Sequence, residues 1–92
     1  MSYEEFFKEI YVPESWKFLG KNNVRSINGD ILSYGLLYKT GDVIYRVFYL
    51  TQSERGGIVK KEGENYKVLI DNKRPEQINE YLKSFNTENQ EK

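Results

Sequence analysis

The side chains that could do chemistry in this chain form a narrow set. Its 92 residues contain neither cysteine nor histidine, which removes disulfides, thiol nucleophiles, the usual structural zinc ligands and the commonest general base near neutral pH. Ser, Tyr, Lys, Arg and the carboxylates remain. The carboxylates fall where caps and turns use them: Asp30, Asp42 and Asp71 beside Gly or Asn, and Glu4 and Glu5 where a first helical turn would begin. No spacing forces two of them together as an acid and base pair, and no EF-hand pattern or other metal-ligand set is present. The expectation is a protein that is not an enzyme and uses no cofactor and no metal.

Two patterns carry binding chemistry instead. Glu54-Arg55-Gly56-Gly57 is the glycine-rich stretch, but it lacks the spaced glycines and the Lys-Ser/Thr of a phosphate cradle and leads into a strand rather than a helix. It reads as the tip of a polar loop, with Arg55 and its neighbour Glu54 free to contact a partner. The second pattern is aromatic residues interleaved with basic ones: Tyr34, Tyr38, Tyr45, Arg46 and Tyr49 in the middle of the chain, with Arg25, Lys39, Lys60, Lys61, Tyr66 and Lys67 around them. Tyrosines with arginine are the composition of interface hot spots. The same set would also let bases stack while cations follow a phosphate backbone. Fourteen Lys and Arg balance fourteen Asp and Glu, and the acids Asp42, Glu54, Glu62 and Glu64 sit between the basic strands, so protein recognition is favoured over nucleic acid.

These residues need a sheet to hold them. Ile31 to Leu50 contains two runs of β-branched, aromatic and aliphatic residues on either side of Lys39-Thr40-Gly41-Asp42, which predicts a long antiparallel hairpin. Strict alternation would put Leu32, Tyr34, Leu36 and Tyr38 on one face of its first strand, against Ile31, Ser33, Gly35 and Leu37. On the second strand Ile44, Arg46, Phe48 and Leu50 oppose Val43, Tyr45, Val47 and Tyr49. A strand apolar on both sides is central or covered on both sides.

Around that hairpin, Val24–Ile27 is expected to pair through the Asn28-Gly29 turn, and strands at Ile58–Lys61 and Tyr66–Ile70 to flank Glu62-Gly63-Glu64-Asn65. Ser2 to Ile10 has the spacing of an amphipathic helix with a Ser2/Glu5 capping box. Pro13 to Gly20 can be a short helix or a first strand, and the helix is preferred. Ile78, Tyr81, Leu82 and Phe85 mark a second helix, and the residues after it, 87–92, hold nothing to bury and are expected to be disordered.

The chain is thus expected to be one α+β domain over residues 1–86, a two-layer fold with an antiparallel meander of about four to five strands, a short N-terminal helix and a C-terminal helix. Alanine is absent while Asn, Lys, Ile and Tyr abound, a bias easily reached from an AT-rich genome such as those of low-GC bacteria and their phages. The acidic N-terminal segment lacks the pattern of a signal peptide, and a cytoplasmic location is expected. The expected function is binding to another protein or to a second copy of the chain, as a small phage or mobile-element inhibitor of a host factor would do. Single-stranded DNA or RNA is the alternative partner, and no membrane is expected.

Overall fold

A computed structural model describes the backbone of residues 1–90 and the side chains of residues 1–84. It is an α+β fold: helix α1 (Tyr3–Lys8), six strands, and helix α2 (Pro75–Gln90). The strands are β1 (Lys17–Lys21), β2 (Val24–Arg25), β3 (Ile31–Thr40), β4 (Val43–Leu50), β5 (Arg55–Glu62) and β6 (Asn65–Lys73). All pair antiparallel in the order β1-β3-β4-β5-β6, and β2 lies beside β1 along the same edge of β3.

The spine is the β3/β4 hairpin, in unbroken register from Ser33 opposite Leu50 to Thr40 opposite Val43. Gly41 supplies the left-handed position of its turn, with φ of 58°, which costs a glycine little and other residues more. The expected pairing of Val24 onto β3 is present but short. β2 spans two residues, because the turn through Asn28 and Gly29 is closed by Ser26, whose N–H donates to the Asp30 carbonyl, and by Arg25, whose guanidinium donates to the Gly29 carbonyl.

Three elements differ from expectation. Residues 13–20 form a tight turn, with the Trp16 N–H donating to the Pro13 carbonyl, and then strand β1 rather than a helix. Pairing decides it: Phe18 opposes Tyr38 and Gly20 opposes Leu37, satisfying the outer edge of β3. The sheet therefore has six strands. Gly56 and Gly57 belong to β5 and are buried, not part of a flexible loop. A Cβ at Gly56 would collide with the Phe48 carbonyl and one at Gly57 with the Ile70 carbonyl; the glycines are there for close approach of backbones. β6 likewise runs on through Asp71 and Asn72 to Lys73.

α1 begins with the expected capping box: Ser2 accepts from the Glu5 N–H and Glu5 from the Ser2 N–H. α2 begins at Pro75, where the missing N–H is no loss. Both helices pack on one face of the sheet. Phe6 from α1 and Ile78 and Leu82 from α2 close over Tyr45, Val47, Tyr49 and Ile58, each side chain adding about 1.5–3 kcal/mol of burial. The backbone of α2 is helical as far as Gln90. The expected burial of Phe85 concerns a side chain outside those described, and of the 87–92 tail expected to be disordered, residues 91–92 lie outside the described residues. Among the described residues no helix is long and apolar enough to cross a membrane.

Candidate binding face

The sheet separates the aromatic residues from the cations. Cross-strand partners share a face, so the β3/β4 register sets Tyr34 beside Tyr49 and Tyr38 beside Tyr45 on the side that carries the helices. All four tyrosines singled out from the sequence are packed there. Tyr45, 5 % exposed, stacks on Trp16 with centroids 4.4 Å apart and planes 3° from parallel. Tyr49 lies against Phe6 and donates its hydroxyl to the Met1 carbonyl at 2.7 Å. Tyr34 is half-buried and stacked on Tyr3 at 3.7 Å, and Tyr38 is half-buried between Trp16 and Phe18. Burial raises the phenol pKa of Tyr38, Tyr45 and Tyr49 above the ordinary value, as expected where water is excluded. Tyr45 and Tyr49 are thus core residues and are not presented to a partner. Beside Tyr3 and Tyr34 a cavity of about 300 Å³ opens between α1 and β3, lined also by Phe7, Leu36, Lys21 and Glu4.

Arg46 is brought to the opposite side. That face places Leu37 beside Arg46, Arg46 beside Val59 and Val59 beside Val68. Gly35 stands beside Phe48, Leu50 beside Arg55 and Lys61 beside Tyr66. Phe48 and Val59 are buried, each 8 % exposed, yet neither belongs to the cluster under the helices. They form a shallow second centre with the Arg46 guanidinium 6.0 Å from the Phe48 ring centroid. Towards the β6 edge the apolar surface is open, with Tyr66 47 % and Val68 56 % exposed.

At the paired strand positions the charge on this face is of one sign. Lys17, Lys39, Arg46, Arg55 and Lys61 share it. The one carboxylate at a paired strand position, Glu62, follows Lys61 and so points to the helix side. Lys17 and Lys39 are direct cross-strand partners, an arrangement of like charges that costs stability. Among the described residues the acids of this electrically balanced chain are otherwise on the helices and in the turns, except Asp71 in β6, whose backbone passes close to Gly57 on the open-face side.

At the centre Arg46 is 8 % exposed. Its Nε donates to Asn22 Oδ1 at 2.8 Å and its Nη2 to the Asn22 carbonyl at 2.8 Å and to Ser33 Oγ at 3.2 Å. Every acceptor is neutral. Burial lowers the guanidinium pKa from its ordinary value, with a smaller opposing influence from Tyr66. Gly35 leaves the room: a Cβ there would fall 2.5 Å from Arg46 Cζ.

The predicted loop pair behaves differently. Glu54, at φ of 59°, is exposed and pairs with the Met1 amino group, which holds its carboxyl below the ordinary value. Arg55 opens β5, half-buried, and its guanidinium has no hydrogen bond or ion pair among the described residues. The structure therefore gathers Arg46 and Arg55 on the open face, leaves Glu54 at its end, and sends the four tyrosines to the other side. Lys17, Asn22, Ser33 and Gly35 were missed in the sequence; a glycine inside an apolar strand was the available signal for a large side chain passing close by. Compared with protein-family models, with curated proteins and with solved structures, the chain finds no match.

Proposed function

We propose that this chain is a non-enzymatic binding protein that works by covering a surface of another protein with the open face of its sheet. The observation that carries this is the make-up of that face: exposed Tyr66 and Val68 beside buried Phe48 and Val59, ringed by cations, with neither helix packed on it among the described residues. An apolar centre with a charged rim is how protein interfaces are built. A second copy is a poor occupant, because a face whose paired positions carry only cations complements itself poorly across a two-fold axis. Inhibition of a host factor by a phage or mobile-element protein fits this mode of action.

The segregation of cations also suits nucleic acid, which ranks second for a specific reason. Single strands are held largely by stacking on exposed aromatics, and on the open face that role falls to Tyr66, while Tyr34, Tyr38, Tyr45 and Tyr49 face the helices.

The test is affinity capture from lysates of candidate hosts with three baits: wild type, Val68→Asp on the open face and Lys8→Ala on α1. A protein held by wild type and Lys8→Ala and lost with Val68→Asp is the expected result. Equal capture by all three, or capture abolished by nuclease, would overturn it.

A further inference from the structure

We propose that Arg46 is the receptor for a carboxylate side chain on an acidic partner protein, at the centre of the open face; this rests on the protein-binding function above. Arg46 is 8 % exposed and its three hydrogen bonds all go to neutral oxygens, so its charge is largely desolvated and has no counter-ion among the described residues. Such charges are costly unless an ion of opposite sign is supplied. The fold supplies none: Arg46 has no ion pair among the described residues. A partner would.

The geometry is prepared for that step. Asn22 occupies one edge of the guanidinium with its Oδ1 and its carbonyl, and Ser33 takes the remaining hydrogen of the same Nη2. The group is thereby fixed in orientation before any ligand arrives, which lowers the cost of binding. Nη1 is left without an acceptor, and since no buried side-chain nitrogen or oxygen lacks a partner among the described residues, Nη1 is the corner that reaches solvent. Charge-assisted bonds from arginine to a carboxylate are among the strongest that proteins make.

The surroundings select an acidic protein surface. Lys17, Lys39 and Lys61 stand within the neighbouring row of the same face, so further carboxylates on the partner find cations. Val59 beside Arg46, and Val68 beyond it in the same row, offer an apolar floor to the methylenes of a Glu, a contact that a sugar-phosphate backbone does not use. The same cations explain how Lys17 and Lys39 come to be direct neighbours: their repulsion is relieved when an anionic surface lies across them.

A fluorescein-labelled glutamate oligomer and a fluorescein-labelled single-stranded DNA of matched charge, titrated with the chain and followed by anisotropy, test the site. The glutamate oligomer is expected to bind the more tightly, and Arg46→Lys, which keeps the charge but loses Nη1 and the Asn22 and Ser33 bonds that orient it, to weaken it roughly tenfold or more. Equal affinity of wild type and Arg46→Lys, or tighter binding of the DNA, would overturn the proposal. If Arg46→Lys melts without cooperativity, the wild-type chain decides: the Arg46 Nε–Hε resonance must shift as the glutamate oligomer is added, and a stationary resonance at saturation sinks the site. A partner from the capture experiment whose retention survives Arg46→Lys would remove the carboxylate receptor and leave the binding function standing.

Discussion

Gly35→Ala probes the fit between β3 and the Arg46 guanidinium most directly. The added methyl would lie 2.5 Å from Arg46 Cζ and 2.5 Å from the Asn22 carbonyl oxygen, whereas non-bonded heavy atoms settle at about 3.5–4.0 Å. Something must therefore move by about 1 Å. Both obstacles belong to one network, because that same carbonyl accepts from Nη2 at 2.8 Å, so moving either stretches a bond beyond useful length. Overpacking alone costs about 1–3 kcal/mol, and a weakened hydrogen bond to a charged group about 1.5–3 kcal/mol. The two are not additive in full, and a loss of about 3–5 kcal/mol is expected, a large share of the total for a small domain. Urea unfolding of Gly35→Ala, Arg46→Ala and the double variant checks it. In the Arg46→Ala background the methyl has space on one side, so the coupling energy should be at least about 1 kcal/mol. Additive changes would show that Gly35 is not there to admit the guanidinium.

Other expectations follow from the same geometry. Tyr45→Ala removes a buried ring stacked on Trp16 and should cost about 3–5 kcal/mol in chemical denaturation; a change below about 1 kcal/mol would mean the ring is not part of the core. Arg55→Ala should shift stability by no more than roughly 0.5 kcal/mol, because the side chain is half-buried and without a polar partner among the described residues; an unfolded variant would make Arg55 structural. The pairing of Glu54 with the Met1 amino group lowers the carboxyl pKa and raises that of the amine, in each case first through their hydrogen bond. The carboxylate's contribution is therefore present above its ordinary pKa and fades as pH falls through the lowered one. The amine's is present below its ordinary pKa and fades as pH rises through the raised one. Both groups are exposed, so the effect is small. The melting-temperature difference between wild type and Glu54→Gln should peak in the neutral range and shrink on either side, and a difference independent of pH would refute the pairing.

The hairpin, the capping box, the second helix and the antiparallel α+β class were legible because each rests on local signals: period-two alternation over Ile31 to Leu50, a Ser two residues into the chain with Glu three beyond it, and Pro75 before an apolar stripe. Pro13 to Gly20 was not legible, because Pro first and Gly last also frame a helix, and only the free edge of β3 turns the segment into β1. Gly56-Gly57 misled for a related reason. Two glycines after a polar run have the composition of a mobile loop, and the need for them lies in the Phe48 and Ile70 backbones, far away in sequence.

For the binding face the alternation was informative and the inference drawn from it incomplete. Arg46 falls on the same face of β4 as Phe48 and opposite Tyr45 and Tyr49 by parity alone, so the tyrosines and the arginine could not have formed one surface. Which of the two faces the helices would take was not local information, since both are apolar. It is decided by Phe6, Ile78 and Leu82 finding Tyr45, Val47 and Ile58. Once they do, the charge balance of the whole chain ceases to describe any surface of it. Turns and helices keep most of the described acids, since carboxylates suit turns and the first turns of helices, and the open face keeps Lys17, Lys39, Arg46, Arg55 and Lys61. A net charge of zero is then compatible with a face whose paired positions carry only cations.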